Sequence, residues 1–358
     1  MSKHETGKLS EALAHVEREL SALWAPPTDG SPPKARVCMA NLVVLASATR
    51  RDEIVALLDT LEACDVSRTF LVSVDPKLPP WGVEVDISAR CHRDGDQLVC
   101  AERIDLSLGA ATLARAPSFV AALCMPEVPT LLVLLEPAPQ NLVSALVREA
   151  SRVIVDSEVI GLGPAAALAQ ATKAHFTDLA WLRLYPWRNH LASAFDDLRW
   201  RPAVTAIRRV QITTAGIAPS PEARLLLGWL ASRLGWKIQG PERAVDALNN
   251  HIEIELCYRS AGSLPGGALI DLEVTALLGD AHVLLSIERQ EHGLQVVYSA
   301  EGLGSRVHST SLDSSTLSAL VDRAFASTQP DLASRQALGA AASLPLHLMP
   351  TPPSPEFK

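Results

Sequence analysis

An alternation of short apolar runs with stretches of helical spacing, which begins near residue 36, most constrains the fold of this chain. Residues 37–46 form a near-continuous apolar run, typical of a strand that is covered on both faces. Residues 50–62 have apolar side chains at helical spacing. The alternation continues with predicted strands at 69–74, 130–135 and 152–155 and predicted helices at 111–124 and 140–150. This order predicts an α/β fold in which a mixed sheet is covered by helices.

A β-hairpin is predicted over residues 83–108, where alternating apolar residues lead into a turn at Asp94-Gly95. With that turn, Cys91 and Cys100 are diagonal neighbours rather than directly opposite each other. A disulfide would need a small change of register, so two small buried thiols are the favoured interpretation. The six cysteines, which include no C-x-x-C pair, likewise predict reduced thiols.

A second α/β region is predicted after Pro202. Its predicted strands are at 204–213, 251–259, 268–278, 282–289 and 294–299, and its predicted helices are at 222–234, 313–326 and 331–341. Gly235 is placed to end the first of these helices, and Gly279-Asp280 is placed to form a hairpin turn. This region is therefore predicted to be a largely antiparallel sheet with helices on one face.

These patterns divide the chain into five predicted segments. They are an N-terminal amphipathic helix with a Pro-rich linker (1–34), an N-terminal α/β domain (35–176), a Trp/Arg-rich helical connector (177–201), a C-terminal α/β domain (202–343) and a disordered tail (344–358). The helix at 8–24 spans only two heptads. We therefore expect it to pack on its own domain rather than on a partner helix.

Composition and charge exclude several function classes. The net charge of −8, with no segregated basic patch, argues against a nucleic-acid partner. The longest apolar runs are shorter than the roughly 20 residues that a membrane span requires. The N-terminus carries no apolar signal segment, which predicts a cytoplasmic location.

No local motif indicates catalysis. The only nucleotide-like string is G-x-G-x-x-A at residues 161–166, but it follows its strand at a distance, and no strand with an acidic end comes after it. A plain helix start is the favoured interpretation of that string. The sequence contains no P-loop, H-E-x-x-H or G-x-S-x-G motif and no set of metal ligands with suitable spacing. We therefore expect no catalytic residues, no cofactor and no metal, and hence not an enzyme.

The segment at 177–201 concentrates aromatic and basic residues. They are Trp181, Tyr185, Trp187, Phe195 and Trp200 together with Arg183, Arg188, Arg199 and Arg201. Residues 178–188, DLAWLRLYPWR, resemble the D-L-x-W-x-R-L-x-P-W-R signature of the OpcA family, the bacterial glucose-6-phosphate dehydrogenase assembly proteins. The resemblance extends over about residues 36–340, with further matches at Ser67-Arg68, Cys100-x-Glu102, residues 125–129 and 153–157, Leu227-Gly228-Trp229-Leu230 and Leu234-Gly235-Trp236. One departure is Glu136-Pro137, which stands where family members often carry tryptophans.

The resemblance implies a non-catalytic two-domain protein that binds glucose-6-phosphate dehydrogenase and promotes its active oligomer. The positions that carry the family motif, and that are implied in partner binding, are Arg68, Cys100, Glu102, Asp178, Trp181, Arg183, Trp187 and Arg188. Trp, Tyr and Arg are also the residue types that dominate interface energetics. We interpret Trp181 and Trp187 as structural and Arg183 and Arg188 as surface contacts, with an internal hinge as the alternative.

Two other functions remain open from the sequence. One is an α/β enzyme or binding protein that takes a phosphosugar or nucleotide at strand ends near residues 156–163. The other is a redox-sensing adaptor that works through Cys91 and Cys100.

Overall fold

The computed structural model describes residues 2–6, 9–25, 34–198, 200–217, 220–240, 242–262, 264–302, 304–312 and 316–344. Most of the predicted linker and almost all of the predicted tail lie outside these residues. The chain divides into two units. The first comprises Met1–Ile160, Ala171–Thr177 and Thr316–Pro330, and the second comprises Gly161–Gln170, Asp178–Ser315 and Asp331–Lys358. The division follows Thr177, at the start of the Trp/Arg-rich segment.

The first unit is built on a nine-stranded sheet. Its strands are β1 (Ser2–Thr6), β2 (Lys34–Arg36), β3 (Ala40–Ser47), β4 (Ser67–Val74), β5 (Val83–Asp94), β6 (Gln97–Leu108), β7 (Thr130–Leu134), β8 (Arg152–Val155) and β9 (His175–Asp178). The helices over the same part of the chain are α1 (Leu9–Leu23), α2 (Arg51–Leu58), α3 (Ala116–Leu123), α4 (Gln140–Glu149), α5 (Ser157–Ile160) and α6 (Leu162–Ala171), the last of which lies almost wholly in the second unit.

The strand order is β1-β5-β6-β4-β3-β7-β8-β9, with β2 paired to β6. The central pairs are parallel, whereas β5 pairs antiparallel with β6 and with β1. The near-continuous apolar runs of β3 and β4 are buried on both faces, as parallel strands between helical layers require. The prediction of an α/β fold with a mixed N-terminal sheet is confirmed.

The predicted hairpin forms, but its register corrects the prediction for the cysteines. The turn is centred on Gly95-Asp96, where Gly95 has a positive φ of 58°, and Asp94 pairs with Gln97. This one-residue move of the turn sets Cys91 directly opposite Cys100, and the two form a disulfide. The prediction of reduced thiols at these two positions is wrong, because a register shift changes which side chains face each other across the strands.

Helix α1 packs on its own unit, as predicted. Its apolar side chains Ala12 and Val16 are fully buried, and the helix contacts β5 and α3. The indole of Trp24, just after the helix, reaches the inner strands of the sheet by a hydrogen bond to Glu102.

The second unit is built on an eight-stranded sheet. The helices from Asp178 onward are α7 (Leu179–Arg183), α8 (Tyr185–Ala194), α9 (Pro221–Leu234), α10 (Leu317–Ala326) and α11 (Leu332–Ala342), and α10 belongs to the first unit. The strands are β10 (Ile207–Ala215), β11 (Lys237–Gly240), β12 (Arg243–Val245), β13 (His251–Arg259), β14 (Leu269–Leu278), β15 (Ala281–Gln290), β16 (Gly293–Ala300) and β17 (Gly304–Ser311).

This sheet has the order β11-β12-β13-β10-β14-β15-β16-β17, and its pairs are antiparallel except β10 with β13. Strands β13 to β16 alternate between buried and more exposed side chains, which confirms a largely antiparallel sheet with one covered face. Strand β17 was not predicted. It is an edge strand with mostly exposed polar residues, so its sequence lacks the apolar alternation that marks a strand.

Helix α9 begins and ends as its sequence predicts. The Ser220 hydroxyl accepts a hydrogen bond from the N–H of Glu222 at 3.0 Å, and Gly235 ends the helix in the left-handed conformation. A Cβ atom on Gly228 would lie 2.4 Å from the carbonyl oxygen of Ala337. Gly228 therefore allows α11 to pack closely on α9, and both helices contribute to the site described next.

Candidate functional site

The predicted site residues fall into two groups, one in each unit. Arg68, Cys100 and Glu102 lie on β4 and β6 of the first unit. Asp178, Trp181, Arg183, Trp187 and Arg188 lie at the start of the second unit, on α7 and α8 or just before them.

The Glu102 cluster consists of Trp24, Arg36, Arg68 and Glu102. The buried carboxylate of Glu102 accepts hydrogen bonds from the Arg68 and Arg36 guanidinium groups and from the Trp24 indole, the last at 2.9 Å. Arg68 also donates to the carbonyl oxygen of Leu123. Burial raises the pKa of Glu102, and the Trp24 and Arg36 donors oppose that shift. The hydrogen bonds of this cluster join the segment after α1, β2 and β4 to β6.

Cys100, two residues before Glu102, forms a disulfide with Cys91. The backbone carbonyl of Cys100 also accepts a hydrogen bond from the N–H of Val37 at 3.0 Å. Cys100 therefore links β6 to β5 and to the segment after β2, whereas Glu102 links β6 to β2 and β4.

In the second unit, Asp178 starts α7. Its carboxylate accepts a hydrogen bond from the N–H of Ala180 at 3.1 Å, which is a helix N-cap. The indole Nε1 of the buried Trp181 then donates to the carboxylate of Asp331 at 2.6 Å. Asp331 in turn caps α11 through the N–H of Ser334 at 2.9 Å.

Arg188 contacts the ring of Trp181. Its guanidinium carbon is 3.3 Å from the centre of the Trp181 ring and 6.0 Å from that of Trp229 on α9. One Nη donates to the carbonyl oxygen of Trp181 at 3.1 Å. Burial lowers the pKa of Arg188 to about 10, and Asp331 opposes that shift. We call Trp181, Arg188, Trp229 and Asp331 the Arg188 cluster.

The Nε–H of Arg188 is buried without a hydrogen-bond partner within the part of the chain that the structure describes. Arg188 also has no carboxylate within ion-pair distance among those residues. Its positive charge is held mainly by an aromatic face, which is favourable when the cation is partly removed from water.

Trp187 and Arg183 have internal partners too. Trp187 is buried beneath Arg289, whose guanidinium carbon is 5.8 Å from the ring centre. Arg183 donates its Nε–H to the carboxylate of Glu222 on α9. Trp181 and Trp187 are thus core residues, as we interpreted them. Arg183 and Arg188 differ from the expectation of surface arginines, because both are partly buried and bind partners within the unit.

Tyr185 and Leu332 provide the exposed part of this region, and the sequence analysis gave neither a role. Tyr185 is 54% exposed on the first turn of α8, and Leu332, directly after Asp331, is 66% exposed. Asp331 was not predicted as a site residue, and Trp229 was named only as part of a family match on the second-domain helix. The signal for Asp331 was the N-cap pattern Asp331-x-x-Ser334, but no sequence pattern places that cap beside Trp181, 150 residues earlier.

Within the described ranges, no group of three or more His, Cys, Asp or Glu side chains is arranged to hold a metal ion. The helices in those ranges are also too short or too polar to cross a bilayer.

Comparison with protein families gives matches over most of the chain. A family model described as the glucose-6-phosphate dehydrogenase subunit N-terminal domain matches residues 59–173. A second, described as the C-terminal domain of the same subunit, matches residues 174–338. The boundary between the two matches lies within four residues of the boundary between the structural units after Thr177.

Two curated relatives are cyanobacterial. Proteins of Nostoc punctiforme and Synechocystis sp., each named "Putative OxPP cycle protein OpcA", are 35% and 32% identical to this chain over 166 residues. The matched segments cover 44% and 43% of this chain. They span about a third of the length of each relative, 35% and 34%.

Similar solved structures include an oxidoreductase from Sinorhizobium meliloti, with 11% identity, a TM-score of 0.47 and 86% of each chain covered. A levoglucosan dehydrogenase in complex with NADH and L-sorbose has 7% identity and a TM-score of 0.38, with 86% of this chain and 90% of that chain covered.

Proposed function

Because the chain belongs to the OpcA family of glucose-6-phosphate dehydrogenase subunits, we propose that it is a non-catalytic cytoplasmic assembly factor that binds this dehydrogenase and promotes its active oligomer. The observation that carries the proposal beyond the family is the Arg188 cluster. Its Trp181 and Arg188 lie within the family motif. The exposed Tyr185 lies on the first turn of the helix that carries Arg188, and the exposed Leu332 directly follows Asp331.

The geometry suits a binding surface because its support is rigid. Trp181 is held by Asp331 and by Arg188, and Asp331 simultaneously fixes the start of α11. Tyr185 and Leu332 therefore project from anchored helix starts and lose little conformational entropy when they are buried by a partner. A large side chain in a well-packed, desolvated contact is the usual form of an interface hot spot.

Activation then follows from linkage. A partner shifts an assembly equilibrium only by its differential affinity for the two states. We expect the protein to bind the assembled dehydrogenase more tightly than the unassembled form, with a coupling free energy of about 1–3 kcal/mol, or roughly 5- to 150-fold.

The test of this function is light scattering on the protein, on the dehydrogenase from the same source and on their mixture, with NADPH production followed in parallel. A heavier species that forms only in the mixture, with saturable activation of NADPH production, is expected. Separate elution with unchanged kinetics would contradict the proposal.

The test of the surface is the pair of variants Tyr185→Ala and Leu332→Ala. We expect each to weaken dehydrogenase binding by about tenfold or more, which corresponds to about 1.4 kcal/mol, without loss of the folded state. Leu248→Ala is the matched control, since Leu248 is an exposed apolar residue of the same unit, 78% exposed, with no part in the Arg188 cluster. Equal affinities for all three variants would place the binding surface elsewhere.

A further inference from the structure

The first sheet contains a topological switch point between β3 and β7. From β3 the chain proceeds to β4 on one side, and β7 lies on the other side, in the order β6-β4-β3-β7-β8-β9. In sheets of this doubly wound order, ligands bind in the crevice outside the carboxyl ends of the two strands that flank the switch point. Here that crevice is bounded by Ser47 and by the residues after Leu134.

A dinucleotide in such a crevice needs free backbone donors and a glycine-rich turn after the first strand. The turn after β3 is Ser47-Ala48-Thr49-Arg50, which contains no glycine. The donors of Ser47 are already used. Its N–H donates to one carboxylate oxygen of Glu136, and its hydroxyl donates to the other at 2.7 Å.

The flanking groups are engaged as well. Arg50 donates one Nη to the carbonyl oxygen of Leu135 at 2.8 Å and binds Glu53 through Nε at 2.9 Å. Asp75, at the end of β4 where an acidic residue would hold a ribose, accepts a hydrogen bond from the N–H of Lys77 at 2.8 Å. The residues of this crevice therefore do not fit a dinucleotide.

Glu136 itself is the informative residue, because its side chain is only 6% exposed and bridges the two loops of the switch point. A buried carboxylate is costly unless it is hydrogen-bonded, and each of its two oxygens accepts a hydrogen bond from Ser47. An anion with two oxygens on a backbone N–H and a hydroxyl is the arrangement by which a phosphate group is held at this position in nucleotide-binding folds.

We propose that Glu136 is a built-in anion that fills the switch-point crevice, so that the crevice excludes phosphate and dinucleotide ligands and becomes an anion site only when the carboxylate is removed. This inference is independent of the partner proposed above.

The experiment uses the full chain with Glu136→Ala, and its probes are sodium acetate, inorganic phosphate and NADP⁺, each compared with sodium chloride at equal ionic strength. Acetate replaces the CH₂–carboxylate group that the substitution removes. We expect the variant to lose about 4–8 °C in Tm. Acetate or phosphate is expected to recover a saturable part of that loss, because only the folded state offers the site. Wild-type Tm is expected to respond to none of the three probes.

Two further variants keep the result decisive. Glu136→Gln retains the length of the side chain without its charge, and we expect a smaller loss of Tm with no response to acetate. Glu53→Ala removes a nearby carboxylate that binds Arg50 rather than Ser47, and it should also show no response. A saturable rise of wild-type Tm with NADP⁺ or phosphate would overturn the proposal. So would a Glu136→Gln protein as stable as wild type, or a Glu136→Ala protein that no anion stabilises.

Discussion

The Glu102 cluster and the Arg188 cluster bury charge in opposite ways. In the first unit, the Glu102 carboxylate is surrounded by two guanidinium groups and an indole N–H, so the buried charge is compensated by neighbours in direct contact. In the second unit, Arg188 lies on the face of Trp181, and its Nε–H is unpaired within the described chain.

Asp271 extends this contrast. It lies on β14 of the second unit near Glu273 and Glu288. Burial is the main cause, and these like charges the second cause, of a carboxyl pKa raised to about 6. Burial raises the pKa of Glu102 as well, so the two carboxylates differ in their neighbours. Glu102 has two guanidinium groups and an indole N–H in direct contact, whereas Asp271 has two carboxylates nearby. The first pattern stabilises the fold, whereas the second is the pattern expected where a site retains binding capacity at the expense of stability.

The largest predicted effect is the loss of the compensated carboxylate. Glu102→Ala leaves Arg68 buried without its charge partner, so we expect the free energy of unfolding to fall by about 3–5 kcal/mol. Urea unfolding followed by tryptophan fluorescence measures this change. Glu127→Ala, which removes an exposed carboxylate of the same unit, is the control and should have almost no effect. A loss below about 1 kcal/mol for Glu102→Ala would remove the distinction between the two clusters.

The next largest effect is an increase in the free energy of unfolding, and it concerns Asp271. Because the pKa of Asp271 is raised above its value in the unfolded chain, the folded state binds the proton more tightly, and stability falls as pH rises from about 4 to about 6. Asp271→Asn removes the charge, so we expect it to stabilise the protein by about 1–2 kcal/mol at pH 8. The gain should vanish below about pH 4, where Asp271 is protonated in both states. A gain that does not depend on pH would show that the charge is not its cause.

The smallest predicted effect on stability is that of Arg188→Met. Methionine can pack on the Trp181 ring without a charge, and no ion pair is lost, so we expect a change in unfolding free energy of about 1 kcal/mol or less. Dehydrogenase binding, measured with the same sample, should fall more than this stability change explains, since the contact of Arg188 with Trp181 supports the helix start that carries Tyr185. If Arg188→Met lost as much stability as Glu102→Ala, the Arg188 cluster would stabilise the fold as the Glu102 cluster does, and the contrast between them would be removed.

Much of the fold follows from local patterns. The helix at 222–234, the strands at 251–299 and the apolar strands of the first sheet lie where their periodicity predicts them, because burial on one or two faces imposes a period on the sequence. The cap at Asp178 belongs to a motif that could be recognised directly. The edge strand β17 could not be predicted, since exposure on all sides removes that period.

The candidate site was predictable only in part. The family motif indicates the correct segment, and burial of Trp181 and Trp187 follows from their size and apolar character. The partners could not be predicted, because Asp331 and Trp229 reach Trp181 and Arg188 only after α9 and α11 have packed together.

The sequence by itself determined the α/β class, the antiparallel character of the second sheet and the family of the chain, because these depend on local periodicity and on a contiguous motif. Only the tertiary structure decided the strand order, the opposition of Cys91 and Cys100, and the contact between Glu136 and Ser47. These features depend on register and on pairs distant along the chain. A local pattern does not encode them, because many strand orders bury the same apolar residues equally well.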